Sequence, residues 1–185
     1  MIEPRRTPPE TDFELLLAHV EYSIWATEKT LAMVDRLPEA AVTQKVESSF
    51  PSILATLVHV YRGDRYYFAL MKGEETKAAP PETYQELKRE WANLHGEMTA
   101  WARDHLRARK DVVLKGWGVW PCWMALMQMV SHGTHHRGQV VTLLRQAGCT
   151  PTPDDFTDLI FYYLQRFPQA EQADWRAVFG MSSGF

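Results

Sequence analysis

From Phe13 onward, apolar residues return every three or four positions: Phe13, Leu16, Leu17, Val20, Ile24, Leu31 and Val34. That is the helical period, and it predicts a first helix over about residues 12–36. Thr11 and Glu14 form an S/T-x-x-E start signal, and Pro38 stops the run. Residues 38–50 read as a polar connection. Ser49 or Ser52 can cap a second helix, with Pro51 suited to a first turn, and Gly73 sits where a helix-ending glycine belongs. Its stripe is Ile53, Leu57, Val60, Tyr61, Tyr67 and Phe68. Thr83 and Glu86 open a third helix over about 83–107, striped by Leu87, Trp91, Leu94, Met98 and Trp101. Residues 108–119 carry β-branched positions around two glycines, which predicts a loop with a short hairpin. Pro121 starts a fourth helix that runs to about Gln146 and ends at Gly148. Beyond Pro151 and Pro153, a helix is expected from Asp154 or Asp155, with Phe156, Leu159, Ile160 and Tyr163 on its apolar face, and a short one near 169–179.

Four long helices with moderate loops predict an all-α fold, a helical bundle with short extra C-terminal helices. Residues 1–11 read as a flexible N-terminal arm and residues 12–185 as one domain. No internal repeat interrupts that reading.

Composition narrows the function classes. An apolar fraction of 45% and a charged fraction of 23% exclude a disordered chain and a disulfide scaffold. A net charge of −3 argues against a nucleic-acid partner. No run of 18 apolar residues occurs, so no membrane partner is expected, and MIEPRRTPPETD lacks the apolar segment of a signal peptide. Cys122 and Cys149 form no CxxC pair, which suits a reduced, cytoplasmic setting. Trp25, Trp101 and Trp123 read as core. On the fourth helix Trp123, Met127, Val130, Val141 and Leu144 oppose the histidine strip described next, and suit either bundle core or a subunit interface.

The chemistry lies in the histidines. Three of the seven fall within five residues, in the run SHGTHHRGQ. His132 and His136 are four apart and project from one helix face, where two imidazoles can grip one metal ion. At 100° per residue, Ala125, Met129, His132, His136 and Leu143 share a narrow strip that is otherwise apolar. His135 falls on the other flank, so His136 is the preferred partner of His132, with His135 as the alternative. A third ligand is sought on another helix. His59 borders the apolar face of the second helix and has Gly63 one turn on to leave room; His105, continuing the stripe of the third helix, competes with it. His19 and His95 read as ordinary polar positions. Arg137 suits an anionic group or a buried ion pair, and Gln139 either orients a ligand or serves the surface.

These residues resemble the DinB/YfiT-like family of metal-dependent proteins. The motif HGTHHRGQ from His132 to Gln139 is similar to that family's pattern of two histidines four apart followed by Arg-Gly-Gln. The stretch SILATLVH from Ser52 to His59 is similar to its second landmark, and Trp25-Ala26 and Gly148…Pro153-x-Asp155-Phe156 also fit. The resemblance implies a four-helix up-down-down-up bundle, usually a homodimer. It implies a divalent-metal site, zinc or nickel, on His59, His132 and His136. It also implies a small-molecule substrate: some relatives look like transferases that use a low-molecular-weight thiol. The alternatives are a metal-dependent hydrolase and a non-catalytic metal- or ligand-binding stress-response module. No carboxylate is an obvious base for hydrolysis, because Asp64, five residues after His59, points elsewhere.

Overall fold

The computed structural model describes residues 11–76, 79–108, 111–114 and 118–166. The chain runs α1 (Asp12–Val34), α2 (Glu39–Thr43), α3 (Ile53–Lys72) and α4 (Tyr84–His105). A hairpin of β1 (Asp111–Leu114) and β2 (Gly118–Pro121) follows, then α5 (Cys122–Gln146) and α6 (Leu159–Arg166). The protein is predominantly helical, as its apolar periodicity predicts.

The helix ends are set by local chemistry. The Glu14 amide donates to Thr11 Oγ1 at 3.2 Å while the Thr11 amide donates to Glu14 Oε2 at 3.1 Å, a complete capping box. Thr83 and Glu86 repeat it on α4. Ser52, not Ser49, caps α3: its Oγ accepts from the Ala55 amide at 3.0 Å. Gly73 ends α3 at φ 75°, a left-handed position that other residues adopt only with strain.

Each long helix packs against two others: α1 against α4 and α5, and α3 against α4 and α5. Between them lie Met33, Leu87, Trp91, Leu126, Met129 and Leu144, all almost fully buried. Val130 and Leu144 of α5 therefore belong to the core, whereas Trp123 is 48% exposed, against the expectation of a core role. Trp123 lies on the outward side of the first turn of α5, whose Cys122 and Ala125 are buried. The antiparallel hairpin pairs Val112 with Trp120 and Val113 with Val119; Val112 is buried and Val113 and Val119 are exposed.

Two local expectations change. The connection after Pro38 contains the short α2, with Pro38 at its N-cap. Asp154 and Asp155 begin only a single 3₁₀ turn, Pro153–Asp155, because Phe156 is extended at ψ 133°, and the helix starts at Leu159. Tyr162 of α6 donates to Glu21 Oε2 at 3.0 Å and Arg166 reaches the same carboxylate at 3.4 Å, which fastens α6 to α1. The expected arm over residues 1–10 and the helix near 169–179 lie outside the described residues.

Leu126 is fully buried among the long helices. Leu126→Ala should destabilise the fold by about 2–5 kcal/mol through lost burial and a residual cavity, read as a lower denaturant midpoint at unchanged slope.

Candidate metal centre

His59 projects from α3, and His132 and His136 project from one face of α5. These two helices are in close contact, and the three rings meet between them. One nitrogen from each imidazole lies within 4.8 Å of the other two. His132 Nε2 stands 2.9 Å from His59 Nε2, and the ring centroids of His59–His136 and His132–His136 are each 4.6 Å apart.

The approach depends on Gly63. A Cβ at that position would lie 2.5 Å from His132 Cε1 and 2.7 Å from its Nδ1, well inside van der Waals contact. The missing side chain thus makes room for His132 from the facing helix. The sequence reading assigned that room to His59, a neighbour on the same helix.

Ring orientation is held from outside. His136 Nδ1 is 2.7 Å from Gln139 Oε1. The amide nitrogen of Gln139 points to Ser49 Oγ at 3.4 Å and to His135 Nε2 at 3.2 Å, so the amide oxygen is the face turned to His136. An oxygen acceptor requires the hydrogen on Nδ1, which leaves the lone pair of Nε2 for the cluster. Phe50 stacks on His59 at 4.3 Å and meets His136 edge-on at 5.6 Å. It escaped sequence reasoning, because a lone aromatic in a polar connection carries no periodic signal.

Burial also favours the neutral form of His59 and His132. It pushes His132 down to about 4, helped by the neighbouring His136, His59 and His135. His59 is lowered by burial first, then by His136 and Arg62. Neutral imidazoles are the form that binds metal. The donor set fits a divalent ion: zinc–imidazole bonds of ~2.0–2.1 Å in a tetrahedral shell place nitrogens about 3.3 Å apart. That value lies between the 2.9 Å and 4.8 Å found here. Among the described residues, no carboxylate or thiol joins the cluster.

The other histidines sit elsewhere. His105 Nδ1 donates to Trp101 O (3.0 Å) and the ring stacks on Trp101, so it is not drawn to the cluster. His19 pairs with Leu15 O at 2.8 Å. His95 is buried beside Trp91. His135 is an exposed flank of the site that touches His136 edge-on at 4.8 Å. Cys122 and Cys149 are buried free thiols.

Arg137 turns inward, away from the cleft. Its Nη2 donates to Thr134 Oγ1 at 2.9 Å and Tyr22 OH at 3.4 Å, and its guanidinium lies over the Tyr22 ring. Asp64 is buried, accepts from Trp91 Nε1 at 3.0 Å and feels the charge of Arg137. Desolvation outweighs both helpers and pushes Asp64 up to about 7.

His59 and His132 open onto a cleft of about 460 Å³, walled by Tyr61, Arg62, Gly63, Arg65, Tyr66 and Tyr67 of α3 and by Thr76, Ala79 and Pro80. An open cleft ending on convergent, neutral nitrogen donors defines a class: helical proteins with a candidate three-histidine metal centre. Residues 11–171 match the model of the DinB family, and the chain belongs to that family. It is similar to "Protein DinB" of Bacillus subtilis (strain 168), at 26% identity over 159 residues covering 76% of this chain and 91% of that protein. No helix among the described residues is long and apolar enough to cross a membrane.

Gly63→Ala should leave helicity intact and weaken divalent-metal binding by roughly 10–100-fold, because the new methyl displaces the His132 ring; competition against a chromophoric chelator reads this. Asp64→Asn should flatten part of the pH dependence of stability. A carboxyl whose pKa rises on folding contributes stability below the unfolded value, near 3.8, that is lost as pH rises through about 7. The variant should therefore gain on the parent by up to a few kcal/mol between pH 4 and pH 8, and parallel denaturation curves across that range would expose any failure to do so.

Proposed function

We propose that the chain is a metal-dependent transferase that activates a low-molecular-weight thiol for attack on a small electrophile. The carrying observation is the meeting of His59, His132 and His136 at the end of an open cleft with no carboxylate among them. Three neutral imidazoles leave the full charge of a divalent ion, zinc or nickel, uncompensated and leave room for a further ligand. When bound, such an ion supplies Lewis acidity that favours the thiolate form of a thiol at neutral pH.

The chain's own residues supply the rest. His136 is held by Gln139, and His59 is covered by Phe50, so their ring planes are set before a ligand arrives. Tyr66 and Tyr67 wall the cleft and pack edge-to-face at 5.2 Å, giving an aromatic flank for an electrophile. Hydrolysis ranks lower. A water nucleophile wants a base, and the buried Asp64 is turned to Trp91. The reading carries with it a cytoplasmic location, a homodimer and the up-down-down-up arrangement that the family resemblance implies.

Protein purified without a histidine tag should hold about one zinc or nickel per chain by elemental analysis. His59→Ala, His132→Ala and His136→Ala should each lose it. The loaded protein should accelerate thiol consumption by an electrophile, and the metal-free protein should not. Full metal content with no thiol-dependent turnover across a panel of electrophiles would replace this reading with a non-catalytic metal-binding module.

A further inference from the structure

The cleft beyond the histidines has its own charge pattern. Arg62 and Arg65 lie three and six residues after His59 on the same helix, and both line the cleft with Tyr66 and Tyr67. Among the described residues, no aspartate or glutamate lines it. Neither arginine forms an ion pair with a carboxylate among the described residues. Arg65 is nevertheless positioned: its Nη1 donates to Tyr61 OH at 3.2 Å, and its guanidinium lies 5.6 Å from the centroid of the same ring. Tyr61 OH in turn donates to Glu90 Oε2 at 2.9 Å, so a tyrosine stands between this cation and the nearby acid. One face of the Arg65 guanidinium is thus anchored while other donors remain for a ligand, and Arg62 is exposed at the rim.

Two cations in a concave wall, next to an aromatic flank and a neutral nitrogen cluster, form a site with two chemically different ends. Guanidinium groups recognise planar oxyanions through parallel N–H donors. We infer that Arg62 and Arg65 form the subsite for an oxyanion on the substrate, so that the cleft selects an anionic thiol whose sulfur faces the histidines. This rests on the reading of the histidine cluster as the reactive end of the cleft. It also makes Arg62 and Arg65 specificity residues rather than catalytic ones.

The test compares 3-mercapto-1-propanesulfonate with 3-mercapto-1-propanol on the zinc-loaded full chain by calorimetry. The sulfonate thiol should bind about tenfold more tightly than the alcohol. In the Arg62→Ala/Arg65→Ala chain that preference should vanish while affinity for the alcohol and zinc content persist. The preference should also shrink in high salt, because exposed ion pairs are screened. Equal affinities in the parent, or a preference that survives both substitutions, overturns the inference and leaves the metal–thiol reading standing. If the chain takes up no zinc, that reading fails by itself, and succinate against succinamide on the metal-free chain decides the subsite. Perturbation of the Tyr66 and Tyr67 resonances by succinate alone, abolished by the double substitution, upholds it; no difference between the two probes overturns it. Should the double variant fail to fold, Arg62→Gln and Arg65→Gln singly give the same comparison.

Discussion

The candidate centre depends on how closely α3 and α5 approach at one point. A ring carbon of His132 fills the place where any residue but glycine at 63 would put its Cβ. Separate the helices there by the width of a methyl group and the nitrogens of His59 and His132 no longer face each other at 2.9 Å. The buried faces of α1, α3, α4 and α5 keep the helices at that distance, with Leu57, Trp91, Leu126 and Met129 all nearly inaccessible. Packing stability and site geometry are therefore one constraint: helices that repack to fill a cavity also move the imidazoles.

The charge arrangement follows from the same burial. For His59 and His132, burial and the neighbouring rings both oppose a positive charge. His132 and His59 are accordingly pushed down. Neutral imidazole is the form that binds a divalent cation. Asp64 shows the same physics with the opposite sign. It is buried one residue from Gly63, receives one hydrogen bond from Trp91 and is raised toward neutrality. It links α3 to α4 rather than serving the cluster.

Much of this was legible in the sequence, because helical periodicity and capping chemistry are local signals. The starts of α1, α3 and α4 follow from Thr11, Ser52 and Thr83. The shared face of His132 and His136 follows from a four-residue spacing. What periodicity could not give was the relation between helices. Spacing left His59 and His105 in competition; the structure separates them, because His105 stacks on Trp101 while His59 meets α5. The role of Gly63, the ring of Phe50 above His59 and the inward turn of Arg137 are likewise contacts between segments distant in sequence. The failure at Asp154 has another origin. Thr152 and Asp155 form a real capping box, yet Phe156 turns extended after a single turn, so the apolar positions Leu159, Ile160 and Tyr163 fall on a helix that begins only at Leu159.

The choice between thiol and water as nucleophile turns on how much acidity each must gain. A free thiol has a pKa near ~8.5, so a shift of only one or two units makes it mostly thiolate at neutral pH. Water is a far weaker acid and must be shifted by several times as much, a change that hydrolytic sites commonly assist with a nearby carboxylate base. Among the described residues, the cluster offers three imidazole donors and no acid, and the cleft beyond it is lined by arginine and tyrosine rather than aspartate or glutamate. A cationic wall would hold a proton poorly and an anion well. The same features that leave water without a base therefore suit an anionic nucleophile.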